Sequence, residues 1–132
     1  MRTRTKARSR AVEALFEAEQ RGVPATSVLE RNSEVNEYAI ELVVLVESHM
    51  EKIDEILSTY LTDRNISRMP ALDRAISRVA TAELIWRQEI DTAVIIAEAM
   101  EIAETLSTEQ SAKFLNGLLG AIGKLRSSIS TL

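Results

Sequence analysis

From Val35 to Tyr60 the apolar residues Val35, Ala39, Leu42, Val46, Met50, Ile53, Leu57 and Tyr60 recur every three or four positions. A strand alternates every second residue, so a series sustained over about seven turns specifies an amphipathic helical stretch. The periodicity alone leaves open whether it is one helix or two with a break around Ser48 to Lys52; Ser33 is the expected cap. Little elsewhere interrupts helices: the 132 residues include 4 Gly and 2 Pro, only 4% are aromatic, and 45% are hydrophobic. The expectation is an all-α, single-domain bundle of about six to seven helices.

The chain has no Cys and 1 His, which excludes thiol nucleophiles, disulfides, zinc knuckles and the paired Glu-x-x-His ligands of di-iron bundles. Those absences remove most helical-bundle enzymes and leave no metal site in view, and His49 reads as a solvated surface residue. No apolar run reaches the roughly 18 residues of a membrane span, and Glu13, Glu17 and Glu19 follow the basic N-terminus where a signal core would stand. A cytoplasmic protein with no membrane association is expected.

The net charge of −4 conceals a segregation: +5 over residues 1–12, −9 over 13–63, +3 over 64–87, −6 over 88–109 and +3 over 110–132. If the fold gathers the three basic segments, an acidic protein carries a local basic face suited to a polyanion.

Residues 3–21 read as a first helix with Ala7, Ala11, Ala14, Leu15 and Ala18 on one side, ended by Gly22 and Pro24. Arg2, Lys6 and Arg10 form a stripe opposite, with Arg4 and Arg8 beside the apolar side; positive charge at this end opposes the helix dipole unless an anion arrives. A short helix over Thr26 to Arg31 follows. Thr62 to Met69 reads as a polar loop, and Pro70 suits the start of a helix carrying Leu72, Ile76, Val79, Ala80 and Leu84. Glu83 falls among these core positions, so its carboxylate must accept hydrogen bonds from an Arg or from backbone N–H groups. Asp91 or Thr92 caps the next helix, whose Val94, Ile95, Ile96, Ala97, Ala99, Met100, Ile102 and Ala103 suit the centre of a bundle. The last helix starts near Ser107 or Thr108, with Ser107 and Gln110 at capping-box spacing. It contains Gly117, Gly120 and Gly123, each costing about 1 kcal/mol against Ala, which calls for close approach by a neighbouring helix. Asn116 reads as a buried amide orienting that turn. Phe114 shares the phase of Leu118 and Ile122, leaving core packing and solvent display both open.

Three segments in this order resemble the NusB family of bacterial transcription antitermination factors across nearly the whole chain. Ala7-Arg8-Ser9-Arg10-Ala11-Val12-Glu13-Ala14-Leu15-Phe16 is similar to the family's basic first helix. Asp73-Arg74-Ala75-Ile76 with Arg78, Ala80, Glu83 and Leu84, then Ile96, Glu98-Ala99 and Glu101-Ile102-Ala103, resemble its R-x-A-x-x-E-L and I-N-E-A-x-E-L-A helices. Ser111-x-x-Phe114-x-Asn116-Gly117-x-Leu119 is similar to its S-x-x-F-V-N-G-V-L signature. The chain departs at Ala82, Ala97, Glu104 and Gly120, where the family has Tyr, Asn, a basic residue and Asp.

The resemblance implies two helical subdomains, 1–62 and 63–132, no catalysis, and binding of single-stranded boxA leader RNA together with a NusE-type small-subunit ribosomal protein. Contact with the RNA polymerase elongation complex is then indirect, and self-association as a homodimer is left open. Carried over by position, the RNA-binding residues are Arg2, Arg4, Lys6, Arg8 and Arg10 in the lead and Gln110, Ser111, Lys113 and Phe114 near the last helix. Glu83, Asn116 and Gly117 take structural roles. Removing charge at Arg4 and Arg8 is expected to weaken RNA binding with the fold intact. A chorismate-type mutase needs cations converging on an enclosed pocket, whereas these lie at chain ends, a loop and helix starts. A protein-binding helical adaptor is a further alternative. So is the RNA-binding module that precedes ribosomal RNA methyltransferase domains, although 132 residues leave no room for such a catalytic domain.

Overall fold

The computed structural model describes residues 3–31 and 36–129. They form seven α-helices and no strand: α1 (Thr3–Arg21), α2 (Ala25–Glu30), α3 (Glu37–Ser48), α4 (Met50–Tyr60), α5 (Ala71–Trp86), α6 (Thr92–Leu106) and α7 (Glu109–Ile129). A 3₁₀ turn, Ile66–Arg68, lies in the loop before α5.

The alanine stripe of α1 is buried, and Gly22 ends the helix at φ +66°, a left-handed conformation that a side chain would strain. Asn36 caps α3, its side chain accepting from the N–H groups of Tyr38 at 2.9 Å and Ala39 at 3.4 Å. The expected cap Ser33 lies outside the described residues. The long apolar series is two helices, broken at His49, whose backbone leaves the helical region at φ −121°, ψ 21°. Its imidazole is half-buried, not solvated: Nδ1 lies 3.0 Å from the Leu45 carbonyl oxygen, and the ring packs on Trp86 with centroids 4.1 Å apart. The apolar rhythm continues through the break because α3 and α4 both pack against α5.

The central helix is α5, not α6. Eleven of the sixteen α5 residues are buried, and α1, α3, α4, α6 and α7 all pack on it. Its Ala75, Ser77, Ala80, Thr81 and Ala82 are small enough to let several helices approach. In α6 only Ile95, Ala99, Ile102 and Ala103 are buried, while Val94 and Ala97 face solvent. Hydropathy alone could not separate an apolar helix at the periphery from one at the centre.

Paired contacts fix the helix directions. Arg8 meets Glu83 and Glu19 meets Arg74, so α1 runs antiparallel to α5. Ser111 meets Asp73 and Arg126 meets the Arg87 carbonyl, so α7 runs parallel to α5. One end of the bundle therefore collects the starts of α1 and α6 with the ends of α5 and α7. The other collects the starts of α5 and α7 with the loop between α4 and α5. Asp73 and Glu83 mark these ends and stand about 15 Å apart along α5 at 1.5 Å per residue.

Of the three glycines in α7, only Gly123 meets a neighbour: a Cβ there would lie 2.9 Å from Cγ2 of Thr92. A Cβ on Gly117 or Gly120 would have no such contact within 4 Å. The close approach expected at all three is confined to one. Replacing Gly117 and Gly120 together with alanine is expected to raise stability by about 1–2 kcal/mol, because alanine restricts the unfolded chain without a clash. Gly123→Ala is expected to lower it, and denaturant melts of the two variants check the opposite signs.

Candidate nucleic-acid interface

The N-terminal basic segment does not act as a unit. Arg2 lies outside the described residues. Arg4 is exposed, with its guanidinium carbon 4.5 Å from the centroid of the Tyr38 ring, a cation–π contact. Lys6 is exposed, and Arg10 is half-buried with a partner of its own. Arg8, expected on the RNA, is instead 4% exposed and committed to the core. Its Nε donates to Glu83 Oε1 at 2.7 Å, Nη2 to Oε2 at 2.9 Å, and Nη1 to Glu98 Oε1 at 2.8 Å.

Glu83 thus has the arginine donor its core position demands, together with the Tyr38 hydroxyl, which donates at 2.6 Å. Thr5 donates to Glu98 at 2.6 Å and joins the start of α1 to α6. Burial works against the Arg8 charge, but Glu83, Tyr38 and Glu98 outweigh it and hold the guanidinium pKa above its ordinary value. Burial, then the bond to Glu83, pushes the Tyr38 phenol well above its usual range.

The other two basic segments are split between the ends of the bundle: Arg87 and Arg126 lie at the end that holds the start of α1, Arg68 and Lys113 at the other, and Arg74 and Arg78 between them are bound by carboxylates. Arg74 is held by Glu19, and Arg78 by Glu19 at 3.0 Å and Asp54 at 2.9 Å. Hydrogen bonds from Arg74, against partial burial, keep the Glu19 carboxyl below its usual range. Arg126 is buried and donates to Thr92 Oγ1 at 2.9 Å and the Arg87 carbonyl at 2.6 Å.

At the opposite end, the start of α7 presents a different surface. Thr108, not Ser107, caps the helix, its Oγ1 accepting from the Ser111 N–H at 3.0 Å. Gln110 is exposed and lines a groove of about 600 Å³ beside the loop before α5. Phe114 lines the same groove and is 44% exposed, which resolves its role toward solvent. Lys113, Asn116 and Gly117 are exposed beside it, so Asn116 is not a buried amide and Gly117 sits on open surface. Ser111 is half-buried, lines the same groove and donates to Asp73 Oδ2 at 2.9 Å. Asp73, Asn65, Arg68 and Thr108 also line the groove, and sequence reasoning gave none of them a binding role. Asp73 carries no signal of its own beyond the resemblance, and the loop carries no motif.

The fold and this surface define a small all-α bundle that displays cations at one end and, at the other, an aromatic-walled groove of mixed polar and apolar lining. The NusB family profile matches residues 5–124, and the chain belongs to the NusB family. It is 44% identical to the transcription antitermination protein NusB of Kineococcus radiotolerans, an alignment covering 98% of this chain and 99% of that protein. Among solved structures, NusB of T. maritima superposes with a TM-score of 0.84 at 33% identity, covering 92% of this chain and 90% of that one. A chain in a complex of the antitermination factors NusB and NusE with double-stranded RNA matches at TM-score 0.82 and 30% identity, covering 94% of this chain and 98% of that one. Among the described residues no helix is long and apolar enough to cross a membrane.

Proposed function

We propose that this chain is a non-catalytic, cytoplasmic antitermination factor that binds boxA leader RNA of ribosomal RNA operons together with a NusE-type ribosomal protein. Through that complex it reaches the transcribing polymerase indirectly. The observation that carries this reading is Phe114, a large aromatic held in solvent at the start of a helix beside Lys113 and over an open groove. Such a ring is available to stack an unpaired base, while nearby cations take phosphates. Arg4 and Lys6 supply further cations at the other end of the bundle. A strand touching both ends must cross about 15 Å, a span that several nucleotides bridge. The NusB–NusE–RNA complex formed by a 30% identical relative supports both partners. The halves 1–62 and 63–132 serve as the two helical subdomains of this design.

The test is a titration of labelled single-stranded boxA RNA, a scrambled strand and a duplex at several salt concentrations, with and without a NusE-type protein. Four to five phosphate contacts predict a log–log salt slope of roughly −3. Sequence-selective binding that tightens with the partner is the expected result. No RNA binding in any lane, with partner protein still captured, would make the chain the protein-binding adaptor instead.

A further inference from the structure

The arginines of α1 are not equally available. Arg8 and Arg21 bond to carboxylates and Arg10 has a partner of its own, whereas among the described residues nothing accepts a hydrogen bond from Arg4. Arg4 is exposed yet supported, because its guanidinium carbon stands 4.5 Å from the centroid of the Tyr38 ring. That ring is fixed from both ends. The Tyr38 backbone N–H donates to the Asn36 side chain at 2.9 Å, its hydroxyl donates to Glu83 Oε2 at 2.6 Å, and the residue is buried. A phenol that donates to a carboxylate passes electron density into its ring, which strengthens the attraction for a cation over its face. The first turn of α1 has no acid, so the helix dipole opposes a cation there. The ring beneath Arg4 and the bond from Thr5 to Glu98 hold the turn against that repulsion.

A guanidinium with one face on an aromatic ring keeps the N–H donors of its edge. Those donors form a planar fork that matches two oxygens of one phosphate. Lys6, also exposed, has no ring beneath it among the described residues and offers a point charge on a flexible stem. We infer that Tyr38 is a positioning residue for RNA binding, its ring holding the Arg4 guanidinium as a preformed fork for a backbone phosphate. The inference rests on the RNA-binding reading and adds to it a buried, uncharged residue that acts through Arg4. Less side-chain freedom is lost on binding, because Arg4 is already ordered.

The experiment titrates labelled single-stranded boxA RNA over a salt series with the parent, Arg4→Gln, Arg4→Lys, Tyr38→Leu, Tyr38→Phe and the double variant Arg4→Gln with Tyr38→Leu. Arg4→Gln is expected to weaken binding and make the log–log salt slope shallower by about 0.7, one phosphate contact on a single strand. Tyr38→Leu is expected to weaken binding by roughly threefold to tenfold, the cost of ordering one long side chain, and to add no loss once Arg4 is replaced. Tyr38→Phe, which keeps the ring without its tie to Glu83, is expected between the leucine variant and the parent. Tyr38→Leu also takes a donor from buried Glu83, so Arg4→Lys supplies a variant that leaves the core untouched. Its slope should stay while its affinity falls, since an ammonium has no planar fork. In the RNA-free protein, nitrogen NMR relaxation is expected to find the Arg4 Nε–H ordered in the parent and mobile in Tyr38→Leu, with circular dichroism melts confirming the fold of each variant.

An equal loss from Tyr38→Leu in both backgrounds would make its effect one of general folding, overturning the inference and leaving the RNA-binding reading in place. Arg4→Lys binding as tightly as the parent would do the same, as would an Arg4 side chain equally mobile in the parent and in Tyr38→Leu. No RNA binding by the parent at any salt would remove both readings.

Discussion

Arg8→Met is expected to destabilise the protein by about 3–5 kcal/mol, the cost of leaving a buried carboxylate without its cation. Glu83 is 1% exposed and Arg8 4%, so water cannot replace the lost guanidinium. For a chain of this length the thermal midpoint should fall on the order of 10–20 °C. The double variant with Glu83→Leu is expected to recover much of the loss, since a packed apolar pair avoids the cost of burying charge. Adding Tyr38→Phe removes the hydroxyl left without its acceptor and should recover more. Thermal melts of the series check this order. An Arg8→Met protein that melts like the parent but loses RNA affinity would instead return Arg8 to the RNA surface.

That result bears on how far periodicity can be trusted. Helical phase placed Glu83 in the core, and the same arithmetic applied to Arg8 would have done likewise. Arg8 stands three, four and seven residues before Ala11, Val12 and Leu15, all buried. A run of five cations invites reading as one electrostatic object, and a position beside the apolar side does not by itself separate Arg8, which is buried, from Arg4, which is exposed. Much of the fold was legible for the complementary reason: apolar spacing, Gly22 with Pro24, and Pro70 each constrain the backbone locally. The identity of the central helix was not. It depends on how closely neighbours can approach, and the small side chains of α5 decide that against the greater hydropathy of α6.

The candidate interface was legible only in part because its two halves obey different rules. Lys113 and Gln110 followed from resemblance and lie on exposed surface. The groove needs Leu61, Met69, Asp73 and Phe114 together, residues from separate elements whose meeting is a property of the tertiary packing. Basic segments that looked available, such as Arg74 and Arg78, are bound by Glu19 and Asp54. Charge counted along a chain takes no account of such pairing.

Phe114→Ala is expected to separate function from fold in the direction opposite to Arg8. With 44% of the residue in solvent, truncation removes little buried area, and alanine is the better helix former. Stability should change by less than about 1 kcal/mol. Loss of a base-stacking surface is expected to weaken RNA binding by about 1–3 kcal/mol, a fall of roughly fivefold to a hundredfold or more. The salt slope should not move, because no phosphate contact is lost. Lys113→Gln should do the reverse, with a smaller loss of affinity and a slope shallower by about 0.7. Measuring both variants over a salt series distinguishes a stacked base from a neutralised phosphate at adjacent positions of one helix. If Phe114→Ala leaves RNA affinity and slope at parent values but weakens capture of a NusE-type protein, the exposed ring belongs to the protein interface, and the strand must follow the cations of α1 alone.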